Sequence, residues 1–314
     1  MIFIYFAVGL YFLIKGADLL TDGAASLASH FNLNQVIVGL TIMAFGTSAP
    51  ELFVTLSSII KGSSEILLGN IFGSSVLNVF LVLGLASILG IVNVHKRLVK
   101  LEIPFSLLVC VLLFFGLNDS LFNTISINQL GVYDGLILLS LFGFFMWTIF
   151  NYKEGFFEDK PAFISLSKSK TFSYLFFGLI FLMFGSFQVV DSGLKISESF
   201  GLSQTLIGAL FISLGTSLPE IVTSFSAFKK KNNELMIGNI VGSNLFNLLF
   251  ILGIASVFSP ITYISKFDLH LYAMIFAQLV LFVSLFFSRK KILSKYTGFL
   301  FVVFYILYLF LNFI

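Results

Sequence analysis

The chain contains few charged side chains. Of its 314 residues, 11% are charged and 58% are hydrophobic, and the mean hydropathy is +1.04. Soluble domains carry roughly 25% charged residues, so this chain lacks the charge that a soluble surface needs. Apolar runs of about 20 residues, the length that spans a bilayer as a helix, recur from end to end. The composition therefore predicts an integral membrane protein.

Cysteine and histidine are also scarce. Cys110 is the single cysteine, which excludes an internal disulfide and a cysteine metal cluster. The three histidines lie outside the motifs described below. The N-terminal run lacks a basic leader and a small-residue cleavage site, so we expect a retained first helix and not a signal peptide. The longest polar stretch, residues 151–170, is short and predicts a linker and not a soluble domain.

Apolar runs separated by polar breaks predict an all-α integral membrane fold with ten transmembrane helices. If the N-terminus lies on one side, 14 of the 18 Lys and Arg residues fall on the other. Cytoplasmic loops are rich in Lys and Arg, so we expect that other side to be cytoplasmic and both termini to be extracytoplasmic. The predicted spans are residues 2–22, 35–60, 66–92, 99–117, 128–150, 172–194, 204–228, 235–258, 268–287 and 296–313.

Two motifs repeat along the chain at a single offset. GTSAPE at residues 46–51 returns as GTSLPE at residues 215–220, and GNIFGSSVLN at residues 69–78 returns as GNIVGSNLFN at residues 238–247. Both pairs are 169 positions apart, and no gap is needed across the first three predicted helices of each half. Chance does not produce such an alignment, so the chain contains an internal repeat.

The repeat predicts the organisation of the chain. We assign residues 1–150 to a first five-helix repeat, residues 151–170 to a cytoplasmic linker and residues 171–314 to a second five-helix repeat. Because five is odd, the second copy enters the membrane from the opposite side. Inverted repeats are typical of secondary transporters, whose sites lie near the bilayer midplane, between the repeats, on interrupted helices.

The prolines of the first motif predict where helices two and seven break. Proline lacks an N–H and clashes with the carbonyl four residues earlier, which is Gly46 for Pro50 and Gly215 for Pro219. Backbone carbonyls freed in this way are tolerated at membrane depth only where they are buried in protein or line a watery cavity. We therefore expect interrupted helices that face the interior.

The polar side chains of the motifs offer only oxygen ligands. Thr47, Ser48 and Glu51 share one helix face by their spacing, and Ser74 and Asn78 share another. Hard cations such as calcium prefer oxygen ligands, whereas softer metals prefer cysteine and histidine. The motifs therefore predict a cation site. The equivalent residues of the second repeat are Thr216, Ser217, Glu220, Ser243 and Asn247.

At these motifs the chain resembles the calcium:cation antiporter superfamily and, within it, the prokaryotic sodium/calcium exchangers. The resemblance covers nearly the whole chain and implies exchange of sodium for calcium by alternating access. Calcium, sodium and the lipid bilayer are then the partners, no cofactor is needed, and a monomer in the plasma membrane is expected to function. It further implies calcium ligands at Glu51, Glu220, Thr47 and Thr216, sodium ligands at Ser48, Ser74, Ser217 and Ser243, and site-facing carbonyls at Ala44 and Ser213.

One position departs from the family pattern. Asn247 stands where prokaryotic sodium/calcium exchangers often carry Asp, although Asn78, its mate, matches. Two carboxylates still balance one calcium ion. Proton-coupled exchange of calcium or another cation stays open as an alternative, and a cation channel is a weaker one. An enzyme is disfavoured, because nothing near Glu51 and Glu220 supplies a nucleophile or a histidine zinc site.

Overall fold

The computed structural model describes residues 2–118, 128–151, 166–199 and 214–312. In these ranges eight helices are long and apolar enough to cross a membrane, and a bent helix pair adds a ninth candidate. This confirms the all-α membrane fold. The ten-helix topology stays a prediction, because residues 204–213 of the predicted seventh span lie outside the described residues, as do residues 152–165 of the predicted linker.

Within its described residues, the first half of the chain contains eight α-helices and three wide π-helical turns. The helices are α1 (Ile2–His30), α2 (Gln35–Val38), α3 (Ala44–Thr47), α4 (Ala49–Ile60), α5 (Ser64–Val76), α6 (Gly84–Leu89), α7 (Ile103–Gly116) and α8 (Val132–Asn151). Turn π1 (Gly39–Met43) joins α2 to α3, π2 (Leu77–Leu83) joins α5 to α6, and π3 (Leu98–Glu102) leads into α7.

The second half contains six described α-helices: α9 (Lys168–Ser199), α10 (Leu218–Lys229), α11 (Asn233–Leu245), α12 (Leu252–Phe258), α13 (Asp268–Phe286) and α14 (Lys295–Asn312). One described π-helical turn, π4 (Phe246–Ile251), joins α11 to α12. Across the described ranges of both halves, four two-residue strands lie between helices: β1 (Val92–Asn93), β2 (Gln129–Leu130), β3 (Ile261–Thr262) and β4 (Ile292–Leu293).

The first helix is longer than predicted. It ends at His30 and not near residue 22, where the predicted first span ends. The carboxylate is tolerated inside the helix because Asp22 Oδ1 lies 2.7 Å from Lys230 Nζ. Small buried residues then continue the helix to His30, and Asn32 terminates it with a left-handed φ of 50°.

The elements of the two halves recur at the offset of 169 residues found in the sequence. The bounds of α4 map onto α10 and those of α5 map onto α11. Strand β1 maps onto β3, and π2 maps onto π4 except for its last residue. The repeated sequence therefore produces repeated local structure, down to an irregular turn.

Contacts divide the chain into two compact units that are not the two sequence repeats. Unit 1 comprises Met1–Pro50 and Lys153–Ser243, and unit 2 comprises Glu51–Tyr152 and Asn244–Ile314. Each unit thus combines parts of both repeats. The chain passes between the units within α4 and within α11.

Unit 1 is built around the pairing of α1 with α9. Glycines allow the two backbones to touch: a Cβ on Gly16 would lie 2.6 Å from Leu182 N, and one on Gly178 would lie 2.7 Å from Leu20 N. Small residues at helix contacts are common in membranes, where close packing replaces the hydrophobic driving force. Helix α10 packs on α1, and Lys230 Nζ pairs there with Asp22.

Unit 2 is fastened by two short antiparallel ladders and by aromatic packing. Strand β1 pairs with β4, and β2 pairs with β3. The ring of Phe80, in π2, lies 5.7 Å from Phe301 and 6.0 Å from Phe276. Near β1, Arg97 Nε donates to Glu102 Oε1 at 2.7 Å, and both side chains are buried. The pairing keeps either charge from being buried alone.

Candidate functional site

Both proline motifs interrupt a helix. Helix α3 ends at Thr47, Ser48 adopts φ −82° and ψ 8°, and α4 starts at Ala49 with a bend of 46° between the flanking segments. Ser217 adopts nearly the same conformation, φ −85° and ψ 1°, immediately before α10. Pro50 and Pro219 each occupy the first turn of the following helix, where a missing N–H is tolerated. The sequence placed both interruptions correctly.

In unit 1, predicted ligands from the two repeats lie in direct contact. Ser48 Oγ donates a hydrogen bond of 3.0 Å to Glu220 Oε1. Thr47 Oγ1 lies 3.3 Å from Ser243 Oγ. All four side chains are buried, and Glu220 is only 1% exposed. The second carboxylate oxygen, Glu220 Oε2, accepts no hydrogen bond from any described residue. It is an acceptor suited to a cation.

Asn239 orients Thr47 and was missed as a functional residue. Its Nδ2 donates to Thr223 Oγ1 at 3.2 Å and to Ser224 Oγ at 3.3 Å. These bonds hold the amide so that its Oδ1 accepts from Thr47 Oγ1 at 3.2 Å. Asn239 belongs to the repeated GN pair, so its recurrence was the signal that could have identified it.

Glycines bring these side chains together. A Cβ on Gly242 would lie 2.6 Å from Leu40 Cα, and one on Gly238 would lie 2.7 Å from Val36 O. Helix α11 therefore contacts α2 and π1 backbone to backbone, as pairs of small residues allow between membrane helices. Gly69 behaves differently, because the nearest atom to its added Cβ is Phe267 Cε1 at 3.8 Å, an ordinary contact. An aromatic side chain, and not a neighbouring backbone, lies against this glycine.

In unit 2, predicted ligands of the two repeats are again paired. Asn247 Nδ2 donates to Ser74 Oγ at 3.4 Å, and Asn78 Nδ2 donates to Asn244 Oδ1 at 3.0 Å. These four residues and Glu51 are 0–1% exposed. Asn244 was not predicted as a site residue. It takes the place of Ser75 in the repeat, so symmetry gave no reason to select it.

The side-chain oxygens of two asparagines in unit 2 are available as ligands. With each Nδ2 engaged, Asn78 Oδ1 and Asn247 Oδ1 accept no hydrogen bond from any described residue. Buried polar atoms without partners are rare in proteins and call for an explanation, such as an ion. Both residues lie in π-helical turns, π2 and π4, which are frequent at functional sites.

The remaining predicted ligands lie as follows. Thr216 and Ser217 are buried in unit 1 just before α10. Ala44 is buried, and its carbonyl accepts from Ser48 N at 3.0 Å and from Thr47 Oγ1 at 3.3 Å. Ser213 lies outside the described residues.

The donor set fits a hard cation. It consists of carboxylate, hydroxyl and amide oxygens. Within the described ranges, no cluster of three or more His, Cys, Asp or Glu side chains is placed so that it could hold a metal ion. Calcium and sodium are bound by such oxygens, whereas softer metals select nitrogen and sulfur. Ionisable residues inside membrane spans usually mark ion or substrate pathways.

A family comparison agrees with this chemistry. The chain matches the sodium/calcium exchanger protein family over residues 1–151 and 170–314. It belongs to that family. The matched ranges include all of the predicted ligands. The chain is therefore a multi-pass membrane protein of a transporter family that exchanges cations, calcium among them.

Individual proteins resemble this chain over most of its length. The sodium/calcium exchanger MaX1 of Methanosarcina acetivorans is 26% identical, with 98% of this chain and 97% of MaX1 covered. The inner membrane protein YrbG of Escherichia coli is 30% identical, with 81% and 78% covered. The solved sodium-calcium exchanger NCX_Mj superposes with a TM-score of 0.83 at 29% identity, covering 98% of this chain and 99% of that one.

Proposed function

We propose that this chain exchanges sodium for calcium across the membrane by alternating access. The observation that carries the proposal is the pairing of motif residues from opposite repeats, Ser48 with Glu220 in unit 1 and Asn247 with Ser74 in unit 2. Each pairing leaves a buried oxygen that accepts no hydrogen bond from the part of the chain that the structure describes. Glu51 and Glu220 supply two negative charges, which balance one calcium ion.

The proposed ligands are those drawn from the motifs. Glu51 and Glu220 bind calcium, and hydroxyl and amide groups of the motifs complete its shell or hold sodium. Because calcium takes six to eight oxygen ligands, several neutral oxygens must join the carboxylates. They are Thr47, Thr216, Ser48, Ser217, Ser74, Ser243, Asn78, Asn247 and the carbonyls of Ala44 and Ser213.

The proposed topology has ten helices in two inverted repeats, with both termini extracytoplasmic and the linker 151–170 cytoplasmic. The recurrence of element bounds at one offset supports two equivalent halves. The concentration of Lys and Arg residues on one side supports the orientation. Ions bind near mid-depth, where the repeats meet, and the protein works as a monomer in the plasma membrane.

Calcium uptake into proteoliposomes tests the proposal. Vesicles holding the purified protein are compared under an outward sodium gradient, an outward proton gradient and no gradient. We expect sodium-driven uptake that Glu51→Gln and Glu220→Gln each abolish. Glu65→Gln is the matched control, because Glu65 is 57% exposed and pairs only at the surface with Lys266; uptake should persist in it.

Two other results would replace the proposal. Uptake driven by protons alone would assign the chain to proton-coupled exchange and direct attention to Asn247. Uptake down a calcium gradient without any counter-ion would indicate a channel.

A further inference from the structure

Two loops of unit 2 carry a concentration of positive charge at the β1–β4 ladder. Residues 89–102 and 286–298 together contain seven Lys or Arg residues and a single carboxylate, Glu102. The ladder joins the loops, because Val92 pairs with Leu293 and Val94 N donates to the Lys291 carbonyl at 2.9 Å. Charges distant in sequence thus share one surface.

Two of the seven cations have partners within the protein. Arg97 is buried against Glu102, so that pair adds no net charge. Lys291 Nζ donates to the carbonyls of Leu285 and Phe286, at 3.2 and 2.8 Å, and caps the end of α13. The other five are exposed and make no ion pair with any residue that the structure describes. We define these five as the basic patch: Lys96, Lys100, Arg289, Lys290 and Lys295.

The second ladder of the same unit has the opposite character. Near β2 and β3, Lys266 Nζ pairs with Glu65 at 3.3 Å. Asp134 accepts from Gly131 N at 2.9 Å, and Asp268 accepts from the Tyr263 hydroxyl at 2.6 Å. Carboxylates outnumber cations among these residues. The unpaired positive charge is therefore specific to the β1–β4 ladder and is not a general property of such ladders.

The basic patch lies at the ends of apolar spans. Four of them start or stop beside the ladder: Ser64–Leu89, Leu98–Gly116, Ser265–Phe286 and Lys295–Asn312. Large apolar and aromatic side chains are exposed next to the cations. They are Leu89 at 66%, Ile91 at 60%, Phe287 at 76% and Tyr296 at 90%. Aromatic side chains with one polar end favour the headgroup level of a bilayer.

We propose that the basic patch binds the phosphate headgroups of anionic phospholipids. Its cations match the phosphate, and the exposed apolar side chains beside them match the first part of the acyl chains. Clusters of four to eight Lys or Arg residues next to a membrane span are typical of anionic lipid recognition. This role differs from setting the orientation during insertion, which requires no lipid to stay bound afterwards.

Lipid retention by the purified full chain tests the proposal. Native mass spectrometry in detergent compares bound phosphatidylglycerol with bound phosphatidylcholine, so the orientation in a membrane has no influence. We expect the unaltered chain to retain phosphatidylglycerol preferentially. Each patch cation replaced by Gln should lower that retention about fivefold, and the variant with all five replaced should lose the preference.

The matched control replaces Lys229 and Lys231, two exposed cations of unit 1, by Gln. It should keep the preference. Equal retention of phosphatidylglycerol by the patch variant and the control would overturn the proposal. So would displacement of the lipid by inorganic phosphate at equal concentration, which would indicate a site for free anions.

A salt series on the unaltered chain keeps the proposal testable if the patch variant does not fold. Rising salt screens exposed charges over a Debye length of about 8 Å at 0.15 M. The preference for phosphatidylglycerol should therefore fall as salt rises. A preference that is absent at low salt, or that is unchanged by salt, would contradict binding through the basic patch.

Discussion

Asn247 carries a neutral amide side chain, and an aspartate would place a carboxylate at the same position. Its Nδ2 is bonded to Ser74, and its buried Oδ1 is left as a ligand without charge. The predicted ligands therefore include two carboxylates, Glu51 and Glu220, whereas the amide oxygens attract a cation through their dipoles and add no formal charge.

Asn247→Asp should lower the calcium concentration for half-maximal uptake, by on the order of tenfold. A unit charge about 4 Å from another interacts by about 4 kcal/mol at an effective dielectric of 20. Desolvation of the new carboxylate offsets much of this, and about 1.4 kcal/mol of net gain is tenfold. Initial uptake rates against calcium concentration measure the change. Asn118→Asp, at the end of α7, is the control, and equal values for the two variants would contradict the prediction.

Single residues differ in how far the sequence reveals them. Glu51 and Glu220 could be recognised because a carboxylate in an apolar run has few purposes other than binding. The hydrogen-bond partners of Asn239 and Asn244 could not be recognised, because an asparagine in a helix has no fixed partner until the tertiary fold supplies one. Their bonds to Thr47 and Asn78 span 192 and 166 residues.

The contact of α11 with α2 and π1 depends on glycine. Gly242→Ala should destabilise the protein by roughly 1–3 kcal/mol, since the added Cβ meets backbone atoms that can move only with their helix. Thermal unfolding in detergent measures the effect. Gly143→Ala is the matched control, because nothing lies within 4 Å of its added Cβ, and alanine favours a helix by about 1 kcal/mol over glycine. Equal stability loss in both variants would contradict the interpretation.

The helices show what periodicity can and cannot predict. Long apolar runs predicted the membrane spans, because length and composition alone decide whether a helix can cross a bilayer. The predicted end of α1 was wrong because Lys230, the partner that pairs with Asp22, is 208 residues away in the sequence. The π-helical turns were not predicted either, since they contain the same apolar residues as the α-helices around them.

The orientation of the whole molecule can be tested by labelling. Lys61→Cys and Lys266→Cys should react with a membrane-impermeant thiol reagent from outside intact cells, and Lys229→Cys should react only after permeabilisation. All three positions are exposed. The unaltered chain is the control, because its only cysteine, Cys110, is buried. Labelling of all three from one side would contradict the proposed topology.

The compact units of the molecule could not be predicted from the repeat. A repeat reveals which segments are equivalent, but not which segments pack together. Ser48 contacts Glu220, and Ser74 contacts Asn247, so residues of different repeats meet inside each unit. The repeat did predict that local structure would recur, because equivalent segments have similar sequences.

Two of the described π-helical turns occur at equivalent positions of the two halves. Such a turn holds one residue more than the α-helix that surrounds it. Turns π2 and π4 start at Leu77 and Phe246, which the offset of 169 relates, whereas the position equivalent to the start of π3 is Phe267, in a 3₁₀ turn. Asn78 and Asn247 both lie at the second position of the shared turn. An irregularity of the backbone is therefore repeated together with the amide side chain that it carries, whereas the turn at π3 has no such counterpart among the described residues.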